Sequence, residues 1–349
     1  MNLLQAFATA FRYKNLAIIV LTMYLMRWGI MEPFAKIHQL ELQISNLDFG
    51  LLVLSVVLVA AGGYLINDYF DLKIDRINKP ERIIVGSYIK RRVAIVLHWA
   101  IHALGLILGF YISFKIGLWQ LCFIHIFFIF SLWFYSTEFK RQLIIGNVLI
   151  SLAVALVPLS VVLFELPALE FFYGPKILKI AEEYAQAKQN VTVEIAGSSV
   201  ELKEDPRVAY ATFRRTLFYW VLAFSAFAFL MSMAREILKD AADREGDRAY
   251  GCKTIPIVWG LKTTKVIVSL LYLAMIGGVL TIQQLFLKDK WTFLYVLVLI
   301  VPMLIVSAIS TITAKNNQGF HRASLINKLT SVFGVGYAVL AHYLILQFA

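Results

Sequence analysis

Charged residues are scarce in this chain. Asp, Glu, Lys and Arg together make up 16% of its 349 residues, whereas 60% of the residues are hydrophobic. A soluble domain usually carries about 25% charged residues, so the composition excludes an ordinary soluble enzyme. Together with a mean hydropathy of +0.74, the shortage of charge indicates a polytopic membrane protein.

Cysteine and recognisable targeting signals are also scarce. The two cysteines, Cys122 in an apolar run and Cys252 in a basic loop, do not suggest a disulfide framework. No small-residue cleavage site follows the basic lead, residues 1–14, so we expect no removable signal peptide. The formal net charge is +11, but no compact basic domain carries it. Basic loops of a membrane protein explain this charge better than a nucleic-acid partner does.

Nine apolar runs are long enough to cross a bilayer, which takes about 20 residues each. They cover residues 15–34, 48–66, 93–114, 117–136, 143–164, 216–235, 265–287, 291–312 and 329–348. Lys and Arg concentrate in alternate connections, beginning with the N-terminal lead. By the positive-inside rule we expect an all-α integral protein of the inner or plasma membrane, with its N-terminus in the cytoplasm and its C-terminus outside.

Two acidic motifs follow apolar runs on the expected cytoplasmic side. Asp68, Asp71 and Asp75 lie in the first motif, and the same spacing recurs in a second motif at residues 240, 243 and 247. On a helix, carboxylates at i, i+3 and i+7 fall within an arc of roughly 60°. Their mutual repulsion near a membrane requires a compensating cation. Oxygen-rich clusters suit Mg²⁺ bound together with substrate phosphates, so the repeated motif predicts a shared Mg²⁺–phosphate site.

The motifs resemble those of the UbiA family of intramembrane prenyltransferases, which carry N-D-x-x-D-x-x-x-D after helix 2 and D-x-x-D-x-x-x-D after helix 6. Residues 78–82, Asn-Lys-Pro-Glu-Arg, resemble the family's Asn-Arg-Pro-x-Arg segment, and residues 251–256 resemble its Gly-x-x-Thr-Leu-Pro segment. The resemblance covers the chain except residues 165–215. It implies a single prenyltransferase domain over residues 1–349, with nine transmembrane helices around a central cavity. Family members bind a polyprenyl diphosphate through Mg²⁺ at the cytoplasmic mouth and transfer the prenyl group to a lipophilic acceptor.

The resemblance also implies a set of site residues at this mouth. The expected metal ligands are Asp68, Asp71, Asp240 and Asp243, and the expected catalytic residues are these four together with Asp75 and Asp247. The expected substrate-binding residues are Asn67, Arg82, Tyr135, Lys140 and Lys253. Tyr135 and Lys140 are spaced one residue further apart than the family's Tyr-x-x-x-Lys element, and the cationic residues have an alternative role as topology anchors.

The sequence leaves the acceptor open. The segment after Arg82 lacks the prolines of many quinone-synthesising members, and it resembles the branch that contains digeranylgeranylglyceryl phosphate synthases. A phosphorylated acceptor, geranylgeranylglyceryl phosphate, would also use the surplus cations Lys90, Arg91 and Arg92. The alternative is prenylation of an aromatic quinone precursor such as 4-hydroxybenzoate or dihydroxynaphthoate. A membrane transporter is a remote alternative, because its acidic residues would be expected near the bilayer midplane. No obligate protein partner is expected.

Three features lie outside the motifs. Residues 165–215 are expected to form a small extracytoplasmic insertion, with a break at Gly174-Pro175, an amphipathic helix over 176–189 and a hairpin over 191–202. His98 and His102, at i and i+4, are expected to be structural rather than metal ligands. Arg27 either faces a cavity or partner or extends to the outer membrane surface.

Overall fold

The computed structural model describes residues 2–194 and 205–347, and this part of the chain is almost entirely helical. Nine of the described helices are long and apolar enough to cross a bilayer. They are α2 (Tyr13–Ile37), α3 (Asn46–Asn78), α4 (Arg91–Lys115), α5 (Trp119–Thr137), α6 (Ile145–Glu194), α7 (Pro206–Ala242), α10 (Gly260–Leu285), α11 (Lys290–Thr313) and α12 (Asn317–Leu346). The short helices are α1 (Leu3–Ala10), α8 (Arg244–Ala249) and α9 (Ile255–Val258). The all-α, nine-helix prediction is confirmed.

The two helices that carry the acidic motifs have many neighbours in the bundle. Helix α3 packs against α2, α4 and α5, and α7 packs against α6, α10 and α12. Large apolar side chains such as Phe49, Phe164 and Phe213 fill the space between them. Many large apolar side chains elsewhere are exposed, as expected for surfaces that face lipid. The packing therefore fixes α3 and α7 relative to each other.

Buried histidines attach α3 to its neighbours. His98 Nδ1 lies 3.0 Å from the Gly62 carbonyl oxygen, and His102 Nε2 lies 2.9 Å from that of Val59. His125 reaches a serine hydroxyl of α3 at 2.8 Å. A side chain on Gly62 would meet the His102 ring at 2.4 Å, so the close approach of α3 and α4 needs glycine there. These contacts give the histidines a structural role in holding α3.

The expected break at Gly174-Pro175 is wrong. Helix α6 runs without interruption for 50 residues, with Pro158, Pro167 and Pro175 inside it. A proline within a helix removes one backbone hydrogen bond, and packing along α7 compensates for that loss. Residues 191–194 are helical rather than the start of a hairpin, and the expected turn lies outside the described residues. The insertion thus begins as an extension of α6 and ends as the start of α7.

Arg27 contacts a partner rather than extending to the surface. Its Nη1 donates to Glu165 Oε2 at 2.9 Å, and its guanidinium lies 4.6 Å from the centre of the Phe49 ring. A second nitrogen donates to the Ile44 carbonyl oxygen in the α2–α3 connection. That connection is at the opposite end of α3 from the acidic motif. Arg27 therefore stabilises the far end of the bundle and does not line the site described below.

Candidate functional site

Both acidic motifs line one cavity of about 440 Å³ between the ends of α3 and α7. We call it the acidic cavity. The residues of the motifs that line it are Asn67, Asp68, Asp71, Asp75, Asp240, Asp243 and Asp247. The chain thus brings together two groups of carboxylates that are more than 160 residues apart in sequence.

The first motif is helical, as its spacing predicts. Helix α3 continues through it and ends at Asn78, so its three aspartates project from one side of the helix. Arg12 donates to Asp68 Oδ1 at 2.9 Å, and Asn67 donates to Asp71 Oδ2 at 2.7 Å. Lys140 donates to the other oxygen of Asp71. The carboxylates of Asp68 and Asp71 therefore each have a cationic partner.

The second motif does not form one helical face, and that expectation is wrong. Helix α7 ends at Ala242, and α8 begins after Asp243. The amide of Asn78, at the end of α3, donates to the Asp243 carbonyl oxygen at 2.9 Å and accepts from Gly246 N at 2.8 Å. A side chain on Gly246 would lie 2.6 Å from this amide. Asn78 therefore holds the bend, which turns Asp247 into the acidic cavity.

The second motif also has polar partners. Lys79 donates to Asp243 Oδ2 at 2.6 Å, and Asn147 donates to Asp240 Oδ2 at 2.8 Å. Lys239 donates to Glu236 Oε2 at 2.7 Å. Seven carboxylates and five Lys or Arg side chains line the acidic cavity, so acidic groups remain in excess. This balance favours the binding of further cations.

The side-chain oxygens of the acidic cavity are suitable ligands for a hard metal ion. Asp243 Oδ1 and Asn67 Oδ1 are buried oxygens without a hydrogen-bond partner, and such oxygens are suitable ligands for Mg²⁺. Within residues 2–194 and 205–347, no three Asp, Glu, His or Cys side chains already converge closely enough to hold an ion, because Lys and Arg occupy several of the carboxylates. Mg²⁺ keeps waters and takes phosphate oxygens as ligands, so a metal here would be held jointly by carboxylates and a diphosphate.

Asp247 and Lys140, which line the cavity outside the spanning helices, have shifted pKa values. Burial raises the pKa of Asp247 to about 7, with a further rise from Asp243 and Asp71 and an opposing effect of Lys140. Burial lowers the pKa of Lys140, but the combined effect of the Asp71, Asp247 and Asp75 carboxylates is larger, so the pKa is raised overall. Lys140 therefore stays cationic, whereas Asp247 is readily protonated until a cation binds nearby.

The expected substrate-binding residues divide into three groups. Asn67, Tyr135 and Lys140 line the acidic cavity. Lys253 does not: its side chain is exposed, and its backbone N–H donates to the Arg141 carbonyl oxygen. The side chain of Arg82 lies outside the described part of the chain.

The surplus cations at residues 90–92 do not reach the acidic cavity. They are exposed at the start of α4, where Arg91 lies over the ring of Tyr69 at 4.5 Å. These three cations therefore contribute no charge to the lining of the acidic cavity.

Several cavity residues have no role in the sequence prediction. They are Arg12, Lys79, Arg235 and Lys239, and Asn147 contacts Asp240 beside the cavity. Lys79 lies within the segment that resembles the family motif, and Arg235 and Lys239 precede Asp240 on α7, so the sequence contains a local signal for these three. Arg12 and Asn147 reach the motifs only through tertiary contacts, and no local pattern indicates them.

An apolar cavity of about 220 Å³ adjoins the acidic cavity. Its walls include Val56, Phe128, Phe224 and Met231. The two cavities share lining residues, which are Asn15, Tyr64, Leu132, Ile150, Val154 and Arg235. The site therefore offers a ligand a polar compartment and an adjoining apolar one.

Comparison with known proteins agrees with this arrangement. Residues 39–164 and 206–332 match the UbiA prenyltransferase family. The chain is 30% identical to a digeranylgeranylglyceryl phosphate synthase from Methanothermobacter thermautotrophicus over 289 residues, which cover 82% of each chain. It is 27% identical to one from Thermococcus kodakarensis over 81% of each chain.

Solved structures show the same fold. A structure of digeranylgeranylglyceryl phosphate synthase matches with a TM-score of 0.60 at 20% identity, and covers 98% of this chain and 100% of its own. The apo structure of a UbiA homologue from Aeropyrum pernix K1 matches with a TM-score of 0.59 at 13% identity, over 97% of this chain and 98% of its own. The shared architecture therefore extends over nearly the whole chain.

Proposed function

The chain belongs to the UbiA prenyltransferase family, and from this premise we propose that it transfers a geranylgeranyl group from geranylgeranyl diphosphate to geranylgeranylglyceryl phosphate. The observation that carries the proposal is the acidic cavity, in which the carboxylates of both motifs face a space that shares wall residues with an adjoining apolar cavity. A prenyl diphosphate likewise has a charged head group and an apolar chain. The names of the relatives from Methanothermobacter and Thermococcus support the choice of acceptor.

Asp68, Asp71, Asp240 and Asp243 would hold Mg²⁺ together with the diphosphate, and Asp75 and Asp247 would support them. When bound, Mg²⁺ would neutralise the negative charge that develops on the departing diphosphate. The side chains of Arg12, Lys79 and Lys140 lie at the same carboxylates. They would turn to the diphosphate oxygens and share that neutralisation. Asn67 and Tyr135 would position the diphosphate by hydrogen bonding.

The reaction breaks one C–O bond and forms another. The bond between C1 of the prenyl chain and diphosphate breaks, and its electron pair leaves with diphosphate. The acceptor hydroxyl oxygen forms an ether bond to C1, and its proton passes to a cavity carboxylate; among the motif aspartates, Asp75 and Asp247 are the two without an assigned metal. The apolar cavity holds the prenyl chain and excludes water, which would otherwise capture the allylic carbon.

The whole of residues 1–349 would act as one domain in the membrane. The positive-inside pattern supports a cytoplasmic N-terminus and an acidic cavity that opens to the cytoplasm, where a water-soluble diphosphate head group is available. The extension formed by the end of α6 and the start of α7 would lie on the opposite side.

A mass-spectrometric product assay tests the proposed activity. Purified protein is incubated with Mg²⁺, geranylgeranyl diphosphate and a mixture of geranylgeranylglyceryl phosphate, 4-hydroxybenzoate and dihydroxynaphthoate. We expect a digeranylgeranyl ether lipid that disappears when a chelator removes the metal. A prenylated aromatic product would assign the chain to quinone synthesis instead. A free prenyl alcohol or cyclic terpene as the main product would contradict a transferase.

A further inference from the structure

A second polar pocket, of about 530 Å³, adjoins the acidic cavity and has the opposite charge. We call it the cationic pocket. It lies between α7 and α12 and is lined by Arg235, Gln318, His321, Arg322, Ser324, Leu325 and Lys328. Three of these residues are Lys or Arg, and in the described part of the chain no carboxylate lines the pocket. Its lining therefore favours an anion.

The cations of the cationic pocket are at most weakly paired with carboxylates in the described part of the chain. Among residues 2–194 and 205–347, Arg322 and Lys328 form no ion pair. Lys328 donates to the neutral side-chain oxygen of Asn15 at 2.5 Å. Arg235 reaches Glu236 only at 3.5 Å, and its Nε is buried without a hydrogen-bond partner. By contrast, Arg12, Lys79, Lys140 and Lys239 in the acidic cavity all donate to carboxylates.

We propose that the cationic pocket binds the phosphate of the lipid acceptor. A phosphomonoester carries about two negative charges near neutral pH, and Arg and Lys side chains recognise such a group through charge-assisted hydrogen bonds. None of the six motif aspartates lines this pocket, so an anion binds there without a metal. The donor diphosphate, in contrast, has its place among those aspartates. The inference rests on the proposed function, because it assigns a site to that reaction's second substrate.

The position of the pocket suits an acceptor that must reach the donor. Arg235, His321 and Ser324 line both the cationic pocket and the acidic cavity, so a phosphate held by Arg322 and Lys328 lies beside the reacting end of the donor. Leu325 lines the pocket with 59% of its surface exposed. It gives the pocket an apolar edge, along which the acceptor's chain continues toward lipid.

The test is the binding of radiolabelled geranylgeranylglyceryl phosphate to the full-length protein in nanodiscs. Arg322→Gln and Lys328→Gln remove one charge each and retain a hydrogen-bond donor, and Lys262→Gln is the matched control because Lys262 is exposed and lines none of the three cavities. We expect each pocket variant to weaken binding by roughly tenfold or more, as for loss of a hydrogen bond between charged groups. The control should bind as wild type does. Equal binding by all four proteins would overturn the proposal.

Three further arms identify what the pocket recognises. The dephosphorylated lipid should bind weakly to wild type and to both variants alike, and equal affinity for it in wild type would contradict a phosphate site. Excess phosphatidylglycerol in the nanodisc should not displace the acceptor; displacement would make the pocket a general anionic-lipid site. The KM for geranylgeranyl diphosphate should not change in Arg322→Gln, and a parallel rise would reassign the pocket to the donor.

Wild-type protein that binds the acceptor without transferring a prenyl group would refute the proposed function but leave this inference intact.

Discussion

At the scale of single residues, the carboxyl group of Asp243 shows how the site differs from a surface acidic cluster. One of its oxygens accepts from Lys79, and the other is buried without a partner. A buried acceptor without a donor costs free energy unless a ligand satisfies it. This second oxygen of Asp243 is therefore available to bind a cation that the protein itself does not supply.

Asp243→Asn should reduce Mg²⁺-dependent transfer by about a hundredfold or more, because an amide of the same shape lacks the negative charge with which Asp243 would balance the metal ion. The assay is single-turnover product formation across a range of Mg²⁺ concentrations. Asp289→Asn is the control, since Asp289 caps α11 through Thr292 N at 2.7 Å and asparagine caps a helix equally well. Retention of full activity in Asp243→Asn would refute the role of Asp243 at the metal.

Lys140→Met should destabilise the protein, because it leaves Asp71 as a buried carboxylate without its cation. Breaking a buried pair in this way costs about 3–5 kcal/mol. Adding Asp71→Asn should recover most of the lost thermal stability but not the activity. Thermal unfolding in detergent measures both effects.

The matched control for this pair is Lys36→Met, which removes a surface ion pair with Glu32 and should change stability by less than about 1 kcal/mol. No recovery on adding Asp71→Asn would show that Lys140 acts on stability through some other contact.

At the scale of secondary-structure elements, the two motifs have the same spacing but different backbones. The first continues α3, as helical periodicity predicts, whereas the second bends at Asp243. The bend depends on Asn78, which is 165 residues away in sequence. A local pattern therefore predicts the aspartates of both motifs but not the bend. Pro175 is a second position where the local sequence is not enough. The local sequence favours a break in the helix there, but packing against α7 compensates for it and α6 continues.

Gly246→Ala should reduce both activity and stability, because the new methyl group would displace the Asn78 amide from its two hydrogen bonds. Loss of these bonds costs about 1–3 kcal/mol, and Asp247 would no longer be held in the acidic cavity. Thermal unfolding and donor KM are the measurements. Gly277→Ala in α10 is the control, since a methyl group there meets no atom within 4 Å. Equal behaviour of the two variants would contradict the role of Asn78.

At the scale of the whole molecule, composition and the nine apolar runs predict the fold, because lipid requires every spanning segment to satisfy its own backbone. The acidic motifs predict where the site lies. The cation Arg12 could not be assigned in the same way, since its position depends on how the N-terminal segment packs beside the first motif. A tertiary contact, rather than a local motif, defines this part of the site.

The proposed orientation is tested by labelling single introduced cysteines in intact cells with a membrane-impermeant maleimide. Lys262→Cys lies in the first turn of α10 and should react only after permeabilisation. Lys288→Cys lies after the end of α10 and should react without it. Both positions are exposed, whereas the native Cys122 and Cys252 are buried, so the parent protein is the background control. The reverse pattern would place the acidic cavity on the outer side.

The ion pairs of Arg12, Lys79 and Lys140 with the motif aspartates have a thermodynamic consequence. Metal alone would take the carboxylates and leave these cations unpaired, and diphosphate alone would take the cations and leave the carboxylates bare. Only when metal and diphosphate bind together do the carboxylates and the cations all have a new partner of opposite charge. Metal and donor should therefore bind with positive cooperativity, each raising the affinity of the other by the same factor.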